Sequence, residues 1–196
     1  MQYQTNQNIR SELKFIAKSD SPKPALSDSA TNSDALQESC KVARQFINYR
    51  LRSEAEVRFR LSKTFGTSIV RETLAQMYRE GLLNDERFAR MFTESRKNSR
   101  PKSASTVRRE LEMKGVSRDL SLSVTSDIDD LEAALCAATK KSRALSNLPE
   151  NKFHHKLIGH LRRRGFTYSI SENASNQAWT VLRSIDPNPP GNPSIR

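Results

Sequence analysis

Glycine is scarce in this chain, at six of 196 residues. Phosphate cradles are built from glycine because backbone amides must close on the ligand with no side chain in the way. Neither the G-x-x-x-x-G-K loop ending in Ser or Thr nor G-x-G-x-x-G occurs, so the sequence predicts no ATP hydrolysis and no nucleotide cofactor. A G-x-S-x-G nucleophile elbow and a Cys-x-x-Cys pair are missing as well. The two cysteines, Cys40 and Cys136, stand almost a hundred positions apart inside helical patterns. They read as two buried thiols in a reducing compartment. There is no run of about 18 apolar residues, which excludes a spanning helix. The segment from Met1 to Arg10 is polar and lacks the apolar core of a secretory signal. A cytoplasmic protein with no membrane partner is expected.

Metal and acid–base chemistry are poorly supplied. His154, His155 and His160 are separated by one, five and six positions, whereas ligands on one helical face need a spacing of three or four. They read as surface or partly buried histidines. Asp127, Asp129, Asp130 and Glu132 form an acidic cluster that helix capping explains without a metal. The sequence therefore predicts no catalytic, cofactor-binding or metal-ligating residue, and no enzyme.

Positive charge is what the chain has in excess. Lys and Arg number 33 against 22 Asp and Glu, giving a net charge of +11 and a pI near 10.0. Most of the surplus lies between Cys40 and Gly115, with 18 basic and 9 acidic residues. Such a surplus favours anionic partners, nucleic acid first.

Composition sets off both ends. Residues 1–33 include the run Ser19 to Ser33, poor in large apolar groups, and read as a disordered extension. Residues 184–196 read as a Pro-rich tail, since its prolines cannot continue a helix. Between them the sequence repeats. Val57 and Leu61, Val107 and Leu111, and Leu157 and Leu161 recur at an offset of 50. Val70, Leu74 and Tyr78, then Leu120, Val124 and Ile128, then Ile170, Ala174 and Ala178 obey the same offset. Glycine turns follow in register at Phe65-Gly66, Gly115-Val116 and Gly165-Phe166.

Each repeat reads as three amphipathic helices, because apolar residues recur at three, four and seven. In the first repeat they are Leu36, Cys40, Ala43 and Ile47, then Val57, Leu61 and Phe65, then Val70, Leu74, Met77 and Tyr78. Ser53-Glu-Ala-Glu56 is a capping box, and Asp129-Asp-Leu-Glu132 is a second start signal. Gly66, Gly81, Gly115 and Gly165 stand where left-handed C-caps are wanted. Nothing alternates with period two for long enough to make a strand. The expected fold is all-α, with three-helix repeats at 34–83, 84–130 and 131–183. Each repeat alone leaves apolar surface uncovered, so the repeats should stack into an elongated, curved array.

Arg79-Glu-Gly-Leu-Leu-Asn-Asp-Glu-Arg-Phe-Ala89 resembles the most recognisable segment of the RecX regulatory proteins. Ser53-Glu-Ala-Glu-Val-Arg-Phe-Arg-Leu61, Arg108-Arg-Glu-Leu-Glu-Met-Lys-Gly115 and Arg163-Arg-Gly-Phe-Thr-Tyr-Ser-Ile170 are similar to three further motifs of that family. The likeness covers about 40–182 and departs at Lys63-Thr-Phe-Gly66, where the glycine falls one place later than usual. The helix around 131–145 is alanine-rich and weakly patterned. The resemblance implies a modulator, usually an inhibitor, of the RecA recombinase. Such a protein would lodge in the groove of the RecA–DNA filament and affect its ATPase, recombinase and SOS co-protease activities. It also implies a monomer and no catalytic signature.

Cations that could meet a filament or nucleic acid fall in three groups. Arg58, Arg60 and Lys63 lie on the middle helix of the first repeat. Arg96, Arg100, Lys102, Arg108, Arg109 and Lys114 cross into the second, with Lys97 among them. Arg162, Arg163 and Arg164 close the middle helix of the third. They could equally be solvated faces and partners of helix C-terminal dipoles. Tyr78, Phe88, Met91, Phe92 and Trp179 are expected in the core rather than as stacking platforms. The rival reading is a helix-turn-helix DNA binder built from Glu54–Gly66 and Ser68–Gly81, although that reading helix is poorly basic and its pattern recurs three times. A scaffold that holds another polypeptide is the third reading.

Overall fold

The computed structural model describes residues 29–185. Those residues form nine α-helices, with one 3-10 turn at Arg143–Leu145, and no strand. They are α1 (Ser29–Tyr49), α2 (Glu54–Leu61), α3 (Thr67–Arg79), α4 (Asp85–Ser99), α5 (Ala104–Met113), α6 (Arg118–Thr125), α7 (Asp130–Ser142), α8 (Glu150–Arg162) and α9 (Tyr168–Ile185). The extension expected at 1–33 lies largely outside the described residues, as does most of the Pro-rich tail. Where it can be compared, α1 starts at Ser29, ahead of the expected boundary. Nothing after Pro24 blocks a helix there, and exposed turns can precede a buried stripe.

Side-chain caps set the helix starts. Ser53 Oγ accepts from the Glu56 amide at 3.2 Å, while Glu56 Oε2 accepts from the Ser53 amide at 3.4 Å, completing the capping box. Asn84, Ser103, Ser117 and Asp129 cap α4, α5, α6 and α7 by accepting from first-turn amides, without the reciprocal bond. Gly81, Gly115 and Gly165 end their helices with φ of 69°, 81° and 92°, the left-handed closure expected of them. Gly66 does not. It has φ −68° and stands at the N-cap of α3. The reason is a turn one residue shorter: the Phe65 amide donates to the Leu61 carbonyl, whereas those of Val116 and Phe166 reach back five residues, to Leu111 and Leu161.

Apolar side chains collect in three clusters that follow the chain. The first joins Cys40, Ala43, Val57, Leu61, Val70, Leu74 and Met77 from α1–α3 with Leu83. A second gathers Phe88, Ala89, Val107, Leu111 and Val116 from α4, α5 and the turn beyond, with Leu120 and Val124 of α6 against it. The third holds Phe153, Leu157 and Leu161 of α8 between α7 and α9. Of the positions related by fifty residues, those on the middle helices are the deepest: Val57, Leu61, Leu111, Leu157 and Leu161 are fully buried and Val107 nearly so, whereas Leu120, Val124, Ile128 and Ile170 are half-buried. Weak patterning in α7 has a physical meaning. Its Ala134, Ala137 and Ala138 are buried against α9, which answers with Ala174 and Ala178. Small residues on both sides bring the two backbones close.

Three aromatic expectations hold in graded form and two side chains depart from them. Phe88 is buried, and Phe92 and Trp179 lie at core edges. Tyr78 and Met91 are exposed, at 42% and 55%. Met77 fills the core position beside Tyr78, whose hydroxyl instead donates to Glu54 Oε2 at 2.8 Å. Met91 lies off the face of α4 that carries Phe88, Ala89 and Thr93. Cys40 is buried as expected, whereas Cys136 is half-buried and neither is bonded to another cysteine.

Candidate functional site

The seams between successive three-helix groups are built alike. At the first, Ser53 Oγ donates to the Lys114 carbonyl at 2.6 Å, so one hydroxyl caps α2 and ties it to the end of α5. Gly115 closes against it so tightly that a Cβ there would lie 2.2 Å from Ala55 Cβ. The second seam joins the equivalent residues fifty positions on, through the serine amide instead of its hydroxyl. The Ser103 amide donates to the Arg164 carbonyl at 3.2 Å, and a Cβ at Gly165 would lie 1.8 Å from Thr106 Oγ1. A carboxylate at the start of the next repeat's first helix supports each start. Asp85 accepts from the Glu54 amide at 2.8 Å, and Asp130 from the Ala104 amide at 2.7 Å. Burial and the neighbouring Glu54 and Glu56 raise Asp85 above the usual carboxylate range, despite that amide.

The sequence-predicted cations divide into tied and free. Lys114 Nζ is 3.0 Å from Glu56 Oε1, and Arg50 Nη2 is 2.9 Å from the same oxygen. Burial would raise Glu56, but these two cations hold its carboxyl below the ordinary range. Arg96 and Lys102 share Glu110, Arg96 at 2.8 Å, and both are only about a quarter exposed. Arg96 also stacks over Phe92 at 4.6 Å. Arg58 reaches back to Glu54. Its fifty-residue counterpart, Arg108, finds Ala104 where Glu54 would be, and its buried Nε has no acceptor among the described residues. Lys63 lies over Phe59 at 4.5 Å.

Arg60, Arg100, Arg109, Arg162 and Arg163 are exposed and make no ion pair among the described residues. Lys97 is exposed too. Arg164 is anchored instead. Its Nε donates to His160 Nε2 at 2.9 Å and its Nη1 to the Pro101 carbonyl at 2.9 Å. Because His160 Nε2 accepts, the ring is neutral, and burial with Arg164, Lys141 and Arg163 nearby lowers its pKa to about 4. His155 is exposed, and His154 is half-buried against Trp179, with Nδ1 at 2.8 Å from Ser175 Oγ. Among the described residues no group of His, Cys, Asp and Glu is placed to hold a metal. The acidic cluster caps and braces: Asp129 accepts from the Leu131 and Glu132 amides.

Sequence reasoning missed Lys140 and Lys141 at the end of α7, which line a cleft with His160 and Arg164. They sit in the alanine-rich helix, where no repeat offset drew attention to them. Glu56 and Glu110 were missed as anchors too, because their partners stand 6, 8, 14 and 58 positions away, none at the helical spacing of three or four.

These features define an all-helical repeat protein whose cations are split between holding its seams and facing solvent. The family model for the second three-helix domain of RecX matches residues 84–121. A curated regulatory protein RecX of Corynebacterium efficiens is 31% identical over 141 residues, covering 67% of this chain and 67% of that protein. That of Listeria monocytogenes is 28% identical over 158 residues, covering 78% of this chain and 58% of its own longer length. The chain belongs to the RecX family. The crystal structure of RecX from Lactobacillus salivarius has the same fold, with a TM-score of 0.62 at 20% identity, covering 76% of this chain and 99% of that one. A second RecX crystal structure matches at a TM-score of 0.64 and 19% identity, covering 85% and 87%. Among the described residues no helix is long and apolar enough to cross a membrane.

Proposed function

We propose that this protein binds the RecA–DNA filament as a cytoplasmic monomer and restrains the filament's ATPase, recombinase and SOS co-protease activities without catalysing a reaction. Membership of a family whose curated relatives are named regulatory proteins carries the reading. The surface suits it. Exposed cations without internal partners stand on the middle helix of each repeat, at Arg60, Arg109 and Arg162, and such cations give salt-dependent attachment to a polyanion or an acidic subunit surface. Repeats at 34–83, 84–130 and 131–183 would each bring one group of cations to the filament.

The test is RecA's single-stranded-DNA-dependent ATP hydrolysis, with this protein titrated from far below to equal stoichiometry. A fall in rate well below one copy per recombinase is expected, because blocking filament growth needs few copies. No effect on RecA from the same organism, with DNA not limiting, overturns the reading and leaves direct duplex binding in its place.

A further inference from the structure

We propose that the cleft between α7, α8 and the segment leading into α5 is a binding site for a single phosphate group. The two seams differ in one respect that their shared construction makes plain. At the first, Glu56 lies between Arg50 and Lys114 and neutralises both. Fifty residues on, both cations are kept as Arg100 and Arg164, but Thr106 stands where the carboxylate was. Arg164 is half-buried, and the charge that bears on it is that of Arg100. A desolvated cation beside another cation is costly unless an anion joins them.

The surroundings add positive charge and supply no negative one. Lys140, Lys141, His160 and Arg164 line the cleft with Ser99 and Pro101, and no carboxylate does. Each charged group acting on His160 is positive. Arg164 is held by His160 and the Pro101 carbonyl through Nε and Nη1, which leaves Nη2 without an acceptor among the described residues. Lys140 uses one proton on the Asn98 carbonyl, at 2.8 Å. The guanidinium is thus oriented before any ligand arrives, which lowers the entropy cost of binding.

Size and charge select the ligand. The cleft measures about 120 Å³, well under the roughly 300–1,000 Å³ of an organic-ligand pocket, so it suits one compact anion. Phosphate presents several oxygens to converging arginine and lysine donors, where a carboxylate presents two. The group could be a backbone phosphodiester of single-stranded nucleic acid or free phosphate.

The experiment uses the full chain, labelled for amide NMR and titrated with inorganic phosphate at constant ionic strength. Saturable shifts should concentrate at Ser99, Ala137, Lys141 and Gly165. The surface variant K140Q/K141Q should weaken binding by about tenfold or more, while R71Q/R79Q, which removes the same charge from α3, should change it less than about twofold. A second arm measures fluorescein-labelled oligo(dT). Weakening in K140Q/K141Q with a salt slope shallower by about one to two assigns the site to the nucleic-acid backbone. Loss of phosphate with unchanged oligo(dT) assigns it to free phosphate. Unsaturable or scattered shifts in the unaltered protein, or equal weakening by both variants, overturn the proposal. No arm contains RecA, so failure here is separate from failure of the filament reading.

Discussion

Three glycines with positive φ look interchangeable in the sequence, and the structure ranks them. Gly81 has φ 69° and open space where a Cβ would be, so Gly81→Ala meets only the left-handed backbone cost of about 1–2 kcal/mol. At Gly115 and Gly165 the new methyl would also collide with Ala55 and with Thr106 and Ser103. Those neighbours belong to capped helix starts, so relief requires opening a seam. Gly115→Ala and Gly165→Ala should each lose roughly 3 kcal/mol or more, adding overpacking to the backbone cost. Urea unfolding of the three variants checks the order, and equal losses would show that the seams yield freely.

At the scale of elements, the seam is the unit that repeats, and its ionisable groups shape how stability follows pH. His160 has a folded pKa of about 4, against an ordinary value near 6.5. As pH falls below about 6.5, the unfolded chain takes up a proton that the folded chain, with Arg164, Lys141, Arg163 and Lys140 around the ring, refuses. Stability should therefore fall between about pH 6.5 and 4, by about 1–2 kcal/mol once solvent screening is allowed for. His160→Gln keeps an acceptor for Arg164 and removes the titration. Its urea midpoint should stay flat between about pH 6.5 and 5 in a phosphate-free buffer, above the range where carboxylates contribute. A slope equal to that of the unaltered protein would assign the loss elsewhere. Glu56 and Glu110, both held below their ordinary value of 4.5 by their cations, add their own loss from about pH 5 downward, where the unfolded chain protonates its carboxylates and the folded one does not.

For the whole molecule, a net charge of +11 says little until it is known which cations are spoken for. Neutralising Arg109, Arg162 and Arg163 together should change thermal stability by under about 0.5 kcal/mol, since they are exposed and unpaired. It should weaken filament binding and make its dependence on salt shallower. Neutralising Arg96 and Lys102 should do the reverse. Glu110 would be left half-buried without a partner, at a cost of about 1–3 kcal/mol, with little change in salt dependence. Fluorescence anisotropy on labelled filaments at two salt concentrations, paired with thermal melts, separates the two sets. If both variants weaken binding alike, the division into tied and free cations does not govern attachment.

Local order was legible in the chain because it is written in short spacings. The apolar stripes, the Ser53 capping box, three of the four glycine closures and the offset of fifty follow from helical geometry acting over a few residues at a time. Those spacings are enough to specify all-helical repeats. The alanine-rich α7 was harder to read because its information lies in what faces it, and only contact with Ala174 and Ala178 shows why small residues are wanted there. The division of the cations was legible only in part, where the partner stands four positions back on the same helix. Arg58 and Arg108 occupy equivalent positions, as do Lys114 and Arg164, yet each meets a different partner: Glu54 or none, Glu56 or His160. Periodicity decides which way a side chain points; the residue that meets it, four positions back for Arg58, Arg108 and Arg164 and 58 positions away across a seam for Lys114, decides whether its charge is neutralised or left for a ligand.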